Sequence, residues 1–371
     1  MGAYTKIDDP TAYFQAKLWT GNAGSNAITF DGNSDLQPDM FWHKEPTDTN
    51  GWHQTDTNIG IANWLATENS DNEYGVGTAY LASMNSNGFT SGSGDSSFNS
   101  NTVLQCTWAW HCNGGTTASN ETGNITSTVQ VDTTAGFSIV TFTGAGSDGR
   151  TIGHSLGVAP AMVIFKNRTS DNTDWRVYHQ SISPTYALSL NDSGAQYSAS
   201  SIFTSAFTST LLNLENDDDV NGSSANIVAY CFADVQGYSK FASYVGNGSG
   251  TSDGTFDGRM IATGFKPAFV LIKPSSASAG DGWVLFDNTR YPRGSTMTTY
   301  SNYINNQINP GSSSAESGNV YDAVDFLSNG FKLRTGRNGI NDDGRTYVYA
   351  AFAESPFVTS DDGGSIPTTA R

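Results

Sequence analysis

At 371 residues the chain is long enough for two or three domains, each able to bury its own core. Eighteen basic against 35 acidic residues give a net charge of −17, which argues against nucleic acid as a partner and against an anionic membrane surface. Charged residues make up only 14%, yet aromatics reach 12% and there are 40 glycines, a composition of many short strands joined by tight polar turns rather than of a disordered chain.

The opening MGAYTKIDDP has no apolar core and no cleavage pattern, so no secretory signal is expected, and Lys6 breaks the myristoylation pattern. No run approaches the length of a membrane span, so no membrane insertion is expected. Three cysteines, Cys106, Cys112 and Cys231, form no disulfide framework and read as free thiols.

Taken in chain order, the predicted elements recur three times. Each series opens on a strand that runs into a glycine turn: AKLWTGNAG (Ala16–Gly24), SIVTFTGAG (Ser138–Gly146) and FASYVGNGS (Phe241–Ser249). A short helix over Ala12–Trp19 is the alternative for the first. Each then reaches a proline followed by an apolar run that ends in lysine: PDMFWHK from Pro38 to Lys44, PAMVIFK from Pro160 to Lys166, and PAFVLIK from Pro267 to Lys273. Proline suits the first position of a strand, and the continuous run suits a strand covered on both faces, with the lysine marking its exit to solvent. A tryptophan follows, Trp52, Trp175 and Trp283, and the alternation in DWRVYH and GWVLFD predicts half-buried strands. A turn then leads into Phe89, Phe207 and Phe331, and each series closes on Trp108-Ala109-Trp110, Tyr230-Cys231-Phe232 or Ala350-Ala351-Phe352. In that register Cys231 takes the place of two alanines and reads as a small core residue.

The recurrence predicts an all-β chain of three tandem, diverged β-sandwich or jelly-roll-like modules. The boundaries are a lead or attachment segment at 1–15, modules at 16–112, 137–235 and 236–357, a polar linker at 113–136 and a C-terminal tail at 358–371. The second and third modules, joined around Gln236-Gly237, are expected to pack closely.

The stretches Gly136–Arg168 and Asn226–Ser249, with GFKPAFVLIK, FLSNGFKLR and TYVYAAFAESPF, closely resemble a repeat domain of unknown function from structural proteins of marine tailed bacteriophages, especially those of cyanobacteria and of pelagic bacteria. The opening GAYTKIDDPTAYFQAKLWTGN resembles the usual start of such proteins. The resemblance implies a non-enzymatic virion component, a tail fibre, head fibre or capsid decoration protein, made and folded in the host cytoplasm. It implies other virion proteins as partners, assembly as a homo-oligomer with a trimer favoured, and contact with a host surface glycan or protein. It supplies no catalytic residue and no cofactor. A host-surface polysaccharide-degrading enzyme is the alternative of another class.

Several strings were weighed against this reading. Gly153-His154-Ser155-Leu156-Gly157 matches the hydrolase G-x-S-x-G pattern, but that chemistry needs a strand–turn–helix context, and here a proline-led strand follows. The histidines His43, His53, His111, His154 and His179 lack metal-binding spacings, so no metal is assigned; His179 is expected at the surface or half-buried. Asp217-Asp218-Asp219 and Asn341-Asp342-Asp343 read as solvated turns, with calcium as the alternative. Trp52, Trp175, Tyr178, Trp283 and Tyr291 are the candidates for stacking on a ligand, although repeated tryptophans favour the core.

Overall fold

Three antiparallel sheets carry the fold, and all three contain four strands in the same order. In each, an opening strand pairs with the closing strand, the closing strand with the proline-led strand, and that with the strand after the tryptophan. These are Phe14–Thr20, Leu104–Trp110, Met40–Lys44 and His53–Asp56 in the first sheet. They are Phe137–Thr143, Asn226–Phe232, Met162–Asn167 and Arg176–His179 in the second, and Ser239–Val245, Thr346–Pro356, Phe265–Pro274 and Val284–Asp287 in the third. The register recurs too: Met40 lies between Trp110 and Asp56, Met162 between Phe232 and His179, and Phe269 between Phe352 and Asp287. This computed structural model describes residues 5–357 apart from 76, 78, 94–96, 250–256, 277–281, 291–302 and 319–323.

The chain is all-β and sandwich-like, with one short helix, Asp218–Asn221, among the described residues. None of the described helices is long and apolar enough to cross a membrane. The helix considered for Ala12–Trp19 does not form: Pro10–Ala12 makes one 3-10 turn capped by Asp9, and Phe14–Thr20 is a strand. A full ladder with the closing strand, Phe14 opposite Trp110 to Thr20 opposite Leu104, outweighs local helix propensity. Residues 113–136, expected as a linker, instead contribute strands Thr117–Asn120 and Ser127–Asp132, which with Tyr186–Ser189 and Tyr197–Ser198 at the opposite edge extend the second sheet to eight strands.

Both faces of each sheet are covered, which explains the unbroken apolar runs. Met40, Trp42, Met162, Ile164, Phe269 and Leu271 point into one core shared by all three sheets. The alternate residues of the same strands point the other way, each sheet's into a separate core beneath a small outer sheet: Phe41 in the first, Val163 and Phe165 in the second, Val270 and Ile272 in the third. The strands after the tryptophans are therefore more buried than alternation predicts. Val177 and Leu285 face the shared core, and Tyr178 and Phe286 face the outer ones. Cys231 is buried in the outer core opposite Val163, as Ala109 is opposite Phe41 and Ala351 opposite Val270. Where the three sheets meet, the shared core leaves an apolar void of only about 20 Å3, lined by Trp42, Trp110, Ile164, Phe232, Leu271 and Phe352 among others.

The lysines expected to lead into solvent are instead buried. Lys44 Nζ donates to the carbonyls of Glu45 at 2.8 Å and Asp48 at 2.6 Å, Lys166 Nζ to Thr173 at 2.6 Å, and Lys273 Nζ to Asp192 at 2.9 Å. Each ammonium thus supplies donors to loop carbonyls that the ladder cannot reach. Burial brings Lys44 and Lys166 down to about 8.

One buried asparagine locks the turn after each opening strand. Asn99, Asn221 and Asn341 accept at Oδ1 from the amides of Asn22, Ala145 and Asn247 at 2.9, 2.9 and 3.0 Å. Their Nδ2 atoms donate to Gly92, Glu215 and Thr335 carbonyls at 3.1, 3.0 and 2.6 Å. The turn glycines Gly21, Gly144 and Gly246 lie so close to the residue after the asparagine that a Cβ would sit 2.1–2.2 Å from its carbonyl oxygen.

Candidate functional site

The three sheets close on one another as a ring, and each seam carries several polar contacts, among them one from a tryptophan indole. Between the first and second sheets, Trp175 Nε1 donates to the Ala66 carbonyl at 2.8 Å, and the Tyr230 hydroxyl donates to Asp56 Oδ2 at 2.6 Å. Between the second and third, Trp283 Nε1 donates to the Ser189 carbonyl at 2.9 Å, and His179 Nε2 lies 3.2 Å from the Tyr349 carbonyl. Between the third and first, Trp52 Nε1 donates to the Asn309 and Ser312 carbonyls at 3.0 Å, and the Arg290 guanidinium stacks 5.5 Å from the Trp108 ring centre. Asp56, His179 and Asp287 hold equivalent places and each accepts an amide two residues on, from Asn58, Ser181 and Thr289. Buried ionisable groups at these seams respond as desolvation requires: Asp56 is pushed up and His179 down to about 4, so the imidazole is neutral at pH 7. Arg290 keeps its charge in the buried site through Asp287 Oδ2 at 2.6 Å and Glu316 Oε2 at 2.9 Å.

These placements decide the residues singled out from the sequence. Trp52, Trp175 and Trp283 are buried and bonded across seams, and Tyr178 is buried in the second sheet's outer core against Phe207 at 4.2 Å, so none offers a face for stacking. Tyr291 lies outside the described residues. His179, expected near the surface, is buried because its imidazole spans a seam. Ser155 sits in a turn at φ +61° with its hydroxyl 2.8 Å from Asn120 Nδ2, while the neighbouring His154 ring is occupied by the Thr208 carbonyl and the Leu156 amide. Asp217 caps the short helix, Asp219 pairs with Arg176 and Asp342 with Arg345. Residues 5–15, read as a lead, are packed on the fold: Thr5 Oγ1 donates to the Gln236 carbonyl and Ile7 enters the shared core.

Among the described residues a groove of about 480 Å3 lies beside the third sheet instead. Half-buried Val284 lies on its floor over the buried Ile308 and Trp283, and its walls carry Gln307, Asn309, Ser317 and Asn338. Arg337 also lines it, and no described lining residue is a carboxylate. Gly282 brings its backbone so close to Asn309 that a Cβ would stand 2.1 Å from Nδ2. Asn309 Oδ1 is held by the Gly311 amide at 2.8 Å, which leaves its Nδ2 pointed for other work, and Asn338 and Ser317 spend no side-chain hydrogen bond within the described protein. Sequence reading missed these residues because Asn, Ser and Gln in a Gly-Pro-rich stretch look the same in a turn and in a binding wall.

No curated protein and no solved structure matches the chain. A family model, described as a domain of unknown function (DUF7483), matches residues 9–356. That span takes in all three sheets, the seams between them and the groove, and the chain therefore belongs to the DUF7483 family.

Proposed function

We propose that the chain is a non-enzymatic structural protein of a bacteriophage virion, made of three diverged copies of one module and serving as a tail-fibre, head-fibre or appendage component. The observation that carries the reading is the closed ring: three sheets on a shared core, with a buried tryptophan hydrogen-bonded across every seam. A particle protein must survive outside the cell by unfolding slowly, and a ring that opens only by breaking two seams at once favours that. The phage assignment itself comes from the motif resemblance. Partners are other virion proteins and, at the exposed faces, a host surface glycan or protein. Assembly into a homo-oligomer, a trimer above all, uses outer surfaces, because the inner faces are occupied within the chain.

The test is a cryo-electron reconstruction of the particle that carries this chain. Density for the ring on a tail or head fibre supports the proposal. Density on the capsid lattice makes the chain a decoration protein. Absence from purified particles refutes a virion role, and release of reducing ends from envelope polysaccharide by the purified protein replaces it with the enzymatic reading.

A further inference from the structure

Beside the groove the third sheet lacks a brace that the other two have. The residue after each tryptophan and the residue two before each turn-locking asparagine face one another. In the first sheet these are His53 and Ser97, with Nε2 3.3 Å from Oγ. In the second they are Arg176 and Asp219, an ion pair at 2.5 Å, with Asp174 at 3.2 Å from the same guanidinium. In the third they are Val284 and Gly339, and a Cβ on Gly339 would still stand 3.8 Å from Val284 Cγ2. A valine and a glycine stand where the other sheets carry a polar bridge, and both line the groove.

We propose that this groove is a saccharide-binding site. An apolar floor at half-buried Val284, backed by the buried Ile308 and Trp283, suits the C–H face of a sugar ring. Around it, the amides of Asn309 and Asn338 and the Ser317 hydroxyl supply donors and acceptors in the mixture that vicinal hydroxyls need. The absence of carboxylates from the described lining, in a chain of net charge −17, keeps the wall open to neutral and acidic sugars alike. The volume of about 480 Å3 lies within the range of small-molecule sites, roughly 300–1,000 Å3, and accepts a short oligosaccharide rather than a single small ion. The assignment is independent of the virion reading, since it rests on the brace positions and the lining alone.

The experiment is saturation-transfer NMR on the full chain with maltotriose, chitotriose and trigalacturonate as probes, up to millimolar concentration. At least one probe is expected to receive saturation from the wild-type protein. Rebuilding the second sheet's brace with Val284→Arg and Gly339→Asp is expected to abolish the transfer. A second variant, Asn338→Ala with Ser317→Ala, removes exposed wall groups and is expected to weaken binding by about tenfold or more with an unchanged melting temperature, as two lost hydrogen bonds imply. If the brace variant fails to fold, the Asn338 and Ser317 variant decides. Transfer that persists undiminished in the variants places any sugar elsewhere, and no transfer from all three probes overturns the proposal.

Discussion

Replacing Trp283 with phenylalanine removes one hydrogen-bond donor from the seam between the second and third sheets, together with part of the buried ring volume. The indole Nε1 donates to the Ser189 carbonyl at 2.9 Å, and both residues are buried. Losing that donor removes a net contribution of roughly 0.5–1.5 kcal/mol and leaves the carbonyl without it, at a desolvation cost of roughly 1–3 kcal/mol. Trp110 is the matched control. It lies in the same shared core, is equally enclosed, and its Nε1 has no partner among the described groups. Trp110→Phe therefore loses the same ring volume but also removes an unsatisfied buried donor. Because the cavity and transfer costs cancel between the two variants, Trp283→Phe is expected to destabilise by about 2 kcal/mol more than Trp110→Phe. Urea unfolding followed by far-UV circular dichroism measures both, and avoids a fluorescence signal that the substitutions themselves alter. Equal destabilisation within about 0.5 kcal/mol would falsify the view that the indole donors hold the seams.

Gly144→Ala is expected to cost about 1–3 kcal/mol, because its Cβ would stand 2.2 Å from the Gly222 carbonyl oxygen; Gly149→Ala, with nothing within 4 Å but φ at +66°, is expected to cost about 1 kcal/mol, and thermal unfolding compares them. Lys44 and Lys166 titrate at about 8 in the folded chain against 10.5 when free. The unfolded chain then binds more protons between those values, so stability rises with pH through that window, and Lys166→Met is expected to flatten the rise in urea midpoint. His179, at about 4 against 6.5, makes the unfolded chain the better proton acceptor below 6.5, so its contribution is lost as pH falls toward 4. His179→Asn, which keeps an acceptor for Ser181 and a donor for Tyr349, is expected to shift acid unfolding to lower pH.

Period and punctuation made the strands legible. The apolar runs before the lysines and the closing strings fall on strands of equivalent order, and each tryptophan immediately precedes another, because apolar runs between turn signals specify buried strands whatever their surroundings. What could not be read was which face met which partner. Lys166 looks like a strand end on its own and becomes a buried donor only once the Thr173 carbonyl is folded over it. His179 looks polar and exposed until Tyr349, 170 residues away, is placed beside it. The turn-locking asparagines did leave a signal, an apolar residue followed by Asn at Phe98-Asn99, Val220-Asn221 and Ile340-Asn341. It was overshadowed in the last two by the adjacent aspartates. The groove left none, since Val284 and Gly339 mark it only by being apolar or small where their counterparts are charged or polar.

A ring of three identical chains must accept every substitution three times over. Here His53 with Ser97, Arg176 with Asp219 and Val284 with Gly339 stand at equivalent places on one continuous polypeptide. Two of those places can keep their bracing while the third gives it up, so the cost of opening a recess in the wall is met once rather than three times. Continuity of the backbone thus frees each third of the ring to specialise on its own.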